Sequence, residues 1–139
     1  MSSKHERIEA AVAAYRGGPL DAHFLAYVDL FNRQRFYEAH DALEALWLTT
    51  RHGPDGEFFK GLIQLAGAFV HVQKNRRGPA VALFRLAQGR LTQFPDAHWR
   101  LNLPEVRALV QGWLQRLESD APPSALLADS PPRLELRAH

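Results

Sequence analysis

EFFKGLIQLAGAFVHVQK, residues 57–74, is the stretch on which the fold turns. Wound at about 100° per residue, its apolar side chains cover almost the whole circumference, and a helix hydrophobic on nearly every side is normally the buried centre of its domain. Lys60, Gln64, Gly67, His71 and Lys74 interrupt that surface at spacings of four, three, four and three, so they line up as one stripe along one face. Strict alternation, the signature of a half-buried strand, is nearly absent here and in the rest of the chain. The expectation is an all-α fold, a compact bundle of about five to six helices around this central one.

Residues 36–48, FYEAHDALEALWL, read as a helix joined to the central one by the polar, glycine-containing loop TTRHGPDG at 49–56. Upstream, Leu20, Phe24, Val28 and Phe31 form the stripe of a helix that Pro19 would open. Ser3 and Glu6 form a capping box for a first helix with Ile8, Val12 and Tyr15 inward. Downstream, residues 75–78 break the pattern and Pro79 opens a helix facing inward with Ala80, Leu83, Phe84, Ala87 and Leu91. An irregular segment, FPDAHWRLN, leads to Pro104 and a last regular helix with Val106, Leu109, Val110, Trp113 and Leu117 on one face. Residues 1–119 thus read as a single domain.

Residues 120–139 read differently. The pairs Pro122-Pro123 and Pro131-Pro132 argue against a compact helix. A loosely held tail is expected, touching the body through Leu126-Leu127 or Leu134 and Leu136, and its removal should leave thermal stability nearly unchanged. A faint internal echo adds an architectural hint: Ala39 and Leu43 follow the turn NRQRFYE much as Ala80 and Phe84 follow KNRRGP. The register is that of tetratricopeptide-like helix pairs, although two units are too few for a solenoid.

Composition narrows the functional classes. A chain of 139 residues can bury a full core without a staple. It contains no cysteine, which excludes disulfides, thiolate metal sites and a cysteine nucleophile. The formal charge is +2, with 17 Lys and Arg residues spread along the chain, so nucleic acid is not an expected partner. The N-terminus MSSKHERIEAAVAAY has no apolar core of a signal peptide, and no run is long enough for a membrane span. A cytoplasmic protein without a membrane partner is expected, and the pattern is compatible with a homo-oligomer.

Chemistry could reside where polar groups enter the apolar core. On the 36–48 helix, Phe36, Ala39, Leu43, Leu46 and Trp47 share the packing arc. His40 falls inside that arc, so its ring should be desolvated. Glu44, one turn on, sits at the border within reach of it. Neighbouring helices joined by a short loop tend to pack antiparallel, which would set the His40/Glu44 edge against the Gln64/His71 stripe. Two imidazoles, a carboxylate and an amide, rimmed by Trp47 and Phe36, would make a metal or acid–base site, with Gly67 allowing close approach. The simpler alternative is a histidine held by a carboxylate inside the packing, and a lysine-ended stripe that is merely the exposed face of its helix.

The two stretches FNRQRFYEAHDALEALW and FFKGLIQLAGAFVHVQKNRRGPAVALF together resemble the family called domain of unknown function 309, some members of which are named predicted metal-dependent hydrolase. The resemblance covers about residues 25–91. It implies a small all-helical fold and marks His40, Glu44, Trp47, Gln64 and His71 as motif positions. It implies no established activity. The family pattern usually reads His-Glu-x-x-Glu, whereas this chain has His40, Asp41 and Glu44, so the shorter Asp41 would have to reach its target differently as a general base.

Two functional expectations follow. In the first, the domain carries a His/Glu/Gln pocket for a metal or small polar ligand, with hydrolysis as its reaction. His40, Glu44 and His71 would be the metal ligands, a divalent ion the cofactor, Asp41 the catalytic group, and Gln64 and Trp47 ligand contacts. In the second, the chain is a non-catalytic helical interaction module whose polar cluster fixes packing. Convergence around an open site favours the first, and a sealed, mutually satisfied cluster the second.

Overall fold

The computed structural model describes residues 3–18 and 20–138. Its described residues form seven helices: α1 (Lys4–Ala14), α2 (Ala22–Asn32), α3 (Phe36–Thr50), α4 (Gly56–Gln73), α5 (Arg77–Leu91), α6 (Leu103–Arg116) and α7 (Pro123–Asp129). Between α5 and α6 lies a minimal antiparallel hairpin, β1 (Ala97–His98) and β2 (Leu101–Asn102). The fold is all-α, as the spacing predicts. Pro19, expected to open α2, lies outside the described residues, as do the ends of the chain at 1, 2 and 139. The visible start of α2 is capped by Asp21, whose carboxylate accepts the His23 amide at 2.8 Å. Ser3 caps α1 as the capping box predicts, its hydroxyl accepting the Glu6 amide at 3.1 Å.

The α4 helix is the centre, packed most heavily on α5 and α3, with α7 touching it as well. Phe69 is its hub. Its ring stacks on Phe36 of α3 and meets Phe31 of α2, Phe84 of α5 and Trp113 of α6 edge-on, with centroids 5.0–5.5 Å away. Edge-to-face contacts at this range add to the apolar area the rings remove from water. Small residues let the helices close on this cluster: Ala39, Ala42, Ala66, Ala68, Ala80 and Ala87 are fully buried. The Tyr27 hydroxyl, buried with them, donates to the Leu62 carbonyl at 2.6 Å and ties α2 to α4.

The sequence echo has a structural counterpart. At the end of α2 the amides of Gln34 and Arg35 donate back to the carbonyls of Phe31 and Leu30, and at the end of α4 those of Asn75 and Arg76 donate to Val72 and His71. Both are Schellman caps. Gln34 and Asn75 occupy the left-handed position, at φ of 60° and 56°, where glycine is usual. Ala39 and Leu43 then follow Gln34 at the sequence spacing at which Ala80 and Phe84 follow Asn75, and all four are buried.

The expectation for residues 120–139 needs correction. Pro123 stands in the first turn of α7, where its missing amide would be unpaired anyway, so the proline pair starts a helix. Leu127 and Leu134 are buried at 5% and 2% exposure. The Asn32 side chain clamps the Leu134 backbone with two hydrogen bonds of 2.8 Å, one in each direction, much as a strand partner would. Arg77 donates to the carbonyls of Leu117 and Ala121, the Asn75 side chain accepts the Ser124 amide, and Leu136 bridges to Leu101. The segment is held tertiarily along most of its length, a feature that local composition does not reveal.

Two outcomes follow. Phe69→Ala should lower unfolding free energy by about 3–5 kcal/mol in urea titration, the cost of an unfilled aromatic site in a core. Deleting residues 121–139 should cost at least about 3 kcal/mol, since two leucines return to water at roughly 1.5–3 kcal/mol each, and should lower the melting temperature visibly in a thermal scan.

Candidate functional site

The polar stripe of α4 runs along the seam, or groove, between α3 on one side and α5 on the other, with Gln64, Gly67 and His71 half-buried. A Cβ placed on Gly67 would lie 3.2 Å from Leu83 Cδ1 of α5 and 4.0 Å from His40 Cδ2 of α3, so both flanking helices reach that glycine. Further along the groove, the Lys60 ammonium sits 4.4 Å from the centroid of Trp47. At the other end, Gln73 Nε2 donates to the Gln34 carbonyl at 2.9 Å. These contacts run in opposite directions along the two helices, as antiparallel packing requires. The expected juxtaposition of the His40/Glu44 edge with the Gln64/His71 stripe is therefore met at the level of the helices.

The individual side chains differ from expectation. His40 is half-buried, its side chain 33% exposed, so its ring is less desolvated than its place in the arc suggests. Its partner is the adjacent Asp41, with Nδ1 3.0 Å from Oδ1, and not Glu44 one turn away. Asp41 also accepts from Lys4 of α1 at 2.6 Å. Burial raises the Asp41 pKa, but the hydrogen bonds from Lys4 and His40 outweigh it and hold the carboxyl below its ordinary value. A carboxylate held so readily ionised is a weak proton acceptor. Its geometry suits a different part: with Nδ1–H directed to Asp41, the His40 tautomer leaves Nε2 free, and Nε2 makes no hydrogen bond among the described residues. Lys4, reached only through the tertiary fold, is the site residue that the sequence reading missed.

The Glu44 side chain is half-buried and makes no ion pair or hydrogen bond among the described residues. Gln64 accepts from Arg90 of α5 at 3.2 Å, and Arg90 also pairs with Glu57 at 2.6 Å. His71 is half-buried with Nδ1 shielded from solvent and without a hydrogen-bond partner among the described residues. Burial, with Arg76 and Lys74 adding like charge, pushes its pKa below 6.5 and favours the neutral ring. Tyr37 and Leu86, each 49% exposed, are large apolar side chains on the two flanking helices, Leu86 sharing the spacing of Leu83 and Arg90 along α5.

The metal set is not assembled. Among the described residues no three His, Asp or Glu side chains gather in a way that could hold a metal ion. His40 is turned to Asp41, and Glu44 and His71 stand apart along the groove. A structural site of three protein donors therefore does not fit these residues.

Residues 24–92 match the sequence profile of a family described as domain of unknown function (DUF309). This stretch is a DUF309 domain. It runs from the first turns of α2 to the end of α5, so all three helices of the groove belong to the DUF309 segment, while Lys4, the hairpin, α6 and α7 lie outside it. The search of curated proteins finds no match. No helix among the described residues is long and apolar enough to cross a membrane.

The environment of His71 has a measurable consequence. A histidine whose folded-state pKa is lowered binds its proton more readily when unfolded, so stability is greatest above 6.5 and falls as pH drops from 6.5 through the folded pKa. His71→Gln should flatten the pH dependence of the urea midpoint in that window, and the His71 ring should titrate below 6.5 by NMR.

Proposed function

We propose that the α3–α4–α5 groove of this DUF309 domain binds a small polar ligand. The observation that supports this most is His71 Nδ1, an atom shut off from solvent that no group among the described residues satisfies. Buried polar atoms are nearly always hydrogen-bonded, and the exceptions call for a bound water or ligand atom. Among the described residues, Glu44 without a partner and His40 with Nε2 free add two more uncommitted polar groups on the same groove. These uncommitted groups support a ligand role over a purely structural one, in which buried polar groups would be expected to pair with one another.

In this reading Asp41 positions His40, and His40, Glu44, Gln64 and His71 supply polar contacts. Trp47, with Lys60 over its ring, closes one end. The hydrolase chemistry that the family resemblance implies would need a donor set beyond the one gathered here, so no metal-dependent step is assigned. A second reading, an interaction module, is favoured by one observation: the exposed Tyr37 and Leu86 on the flanking helices would suit an apolar partner segment.

The test uses ring-nitrogen NMR of the histidines with imidazole, glycine, acetate and inorganic phosphate as probes, and zinc, nickel and manganese as a separate series. At least one non-metal probe should shift the His40 and His71 signals saturably and raise the melting temperature, and His71→Ala should abolish the response. Silence of both rings toward every non-metal probe would overturn the proposal. A 1:1 metal response lost in both Glu44→Gln and His71→Ala would replace it with a metal site.

A further inference from the structure

A cavity lies away from the groove, between the loop joining α3 to α4 and the β1–β2 hairpin. Its volume is about 460 Å³, within the usual range of small-molecule sites. Leu46, Phe59 and Trp99 line its apolar side. The acidic and basic side chains of the lining are Asp21, Asp55 and Arg51, with His52 beside them.

Trp99 is fixed against this space. It and Arg100 form the two-residue turn of the hairpin at φ of 50° and 62°, a left-handed conformation that bulky residues rarely adopt. Asp55 restrains the turn: its Oδ1 lies 2.7 Å from His98 Nε2, and its Oδ2 accepts the indole N–H at 3.1 Å. Phe24 and Phe59 pack on the indole with centroids at 5.2 and 5.0 Å. The indole is still partly exposed, so a ring that cannot turn away borders the cavity. Donating its N–H to a carboxylate makes the indole more electron-rich, which strengthens the attraction of its face for a cation.

The charge of the cavity has the same sense. A carboxylate keeps its charge when hydrogen-bonded, so Asp21 and Asp55 outnumber the single guanidinium of Arg51. That guanidinium is turned to the Trp47 ring, its carbon 5.9 Å from the centroid, and Trp47 is not part of the lining. Asp21 and Asp55 are the N-cap residues of α2 and α4, so the partial positive charges of those two helix ends lie against full negative ones. Asp21 has acceptor capacity to spare. Its Oδ1 takes the His23 amide at 2.8 Å, with His23 Nδ1 3.5 Å away, and its Oδ2 takes nothing among the described residues. The hydroxyls of Thr49 and Thr50 donate to the Leu46 carbonyl at 2.8 and 3.0 Å, so each has only oxygen lone pairs left to offer. Both threonines line the cavity at the C-terminal end of α3, the negative end of its dipole.

We infer that this cavity binds a small organic cation, a primary ammonium on an apolar body, with the ammonium on Asp21 and the body against Trp99. An ammonium brings three donors, which match the Asp21 and threonine acceptors, and its charge offsets the excess of carboxylate. The site is separate from the groove and does not depend on what the groove binds.

The experiment titrates the full chain at neutral pH with phenethylammonium, its uncharged counterpart 2-phenylethanol and the anion phenylacetate, following the indole N–H signals by NMR. Phenethylammonium should move the Trp99 signal saturably and leave the fully buried Trp113 in place. It should bind at least about fivefold more tightly than the alcohol, the lower end of one charged hydrogen bond after screening by salt. Phenylacetate should bind more weakly than the alcohol. Asparagine caps a helix as well as aspartate, so Asp21→Asn keeps the start of α2 while removing the charge. It should weaken phenethylammonium by a similar factor and leave 2-phenylethanol unchanged. Arg51→Ala, at an exposed position, removes the one opposing charge and should bind phenethylammonium no less tightly than the parent. Equal affinity for ammonium and alcohol, an unmoved Trp99 signal, an Asp21→Asn variant that binds as the parent does, or weakened binding in Arg51→Ala would each overturn the inference.

Discussion

The ring of Phe69 has neighbours on every side that the chain can supply. Phe31, Phe36, Phe84 and Trp113 close on it from α2, α3, α5 and α6, and each contact fixes the position of a helix relative to α4. Protein interiors are packed like crystals, so a ring of that size cannot be moved without moving the rest. The groove inherits its shape from this constraint. With one face of α4 committed to the aromatic cluster, the stripe from Lys60 to Lys74 is left at the seam between α3 and α5, where Lys60, Gln64 and His71 escape full burial.

That arrangement was legible at the level of helices because it follows from local spacing. The stripe is written in the four-and-three intervals of α4, and the antiparallel approach of α3 follows from the short loop between them. The partner of His40 was not legible. Helical geometry favours Glu44, one turn on, over the adjacent Asp41, yet the imidazole pairs with Asp41, which Lys4 from α1 also holds. The same limit explains the metal expectation. Spacing can bring His40, Glu44 and His71 to one groove, but it does not set the side-chain directions on which coordination depends.

Proline misled in a specific way. Pairs of prolines read as breaks, yet Pro123 starts α7, and Leu127 and Leu134 behind it are part of the core. The retaining contacts come from Asn32, Asn75 and Arg77, residues far away in sequence that look like ordinary turn and surface positions. The hairpin is a similar case. Trp-Arg is not a pair that turn statistics select, and its conformation depends on Asp55 at the start of α4. In each instance a tertiary hydrogen bond overrides a local preference, and a single sequence carries no mark of it.

The clamp between Asn32 and Leu134 joins residues 102 positions apart. Contacts of such separation form late, since the loop they close must be paid for in entropy before they contribute. During synthesis the order is fixed as well, because Leu134 leaves the ribosome after every residue of α1 to α5. The helices from α1 to α5 can assemble around Phe69 beforehand, but the end of α2 keeps an unmet amide side chain until Leu134 emerges. The latch on α2 is therefore the last part of this fold to close, and a chain stopped before residue 134 would present an assembled seam of α3, α4 and α5 on an unlatched body.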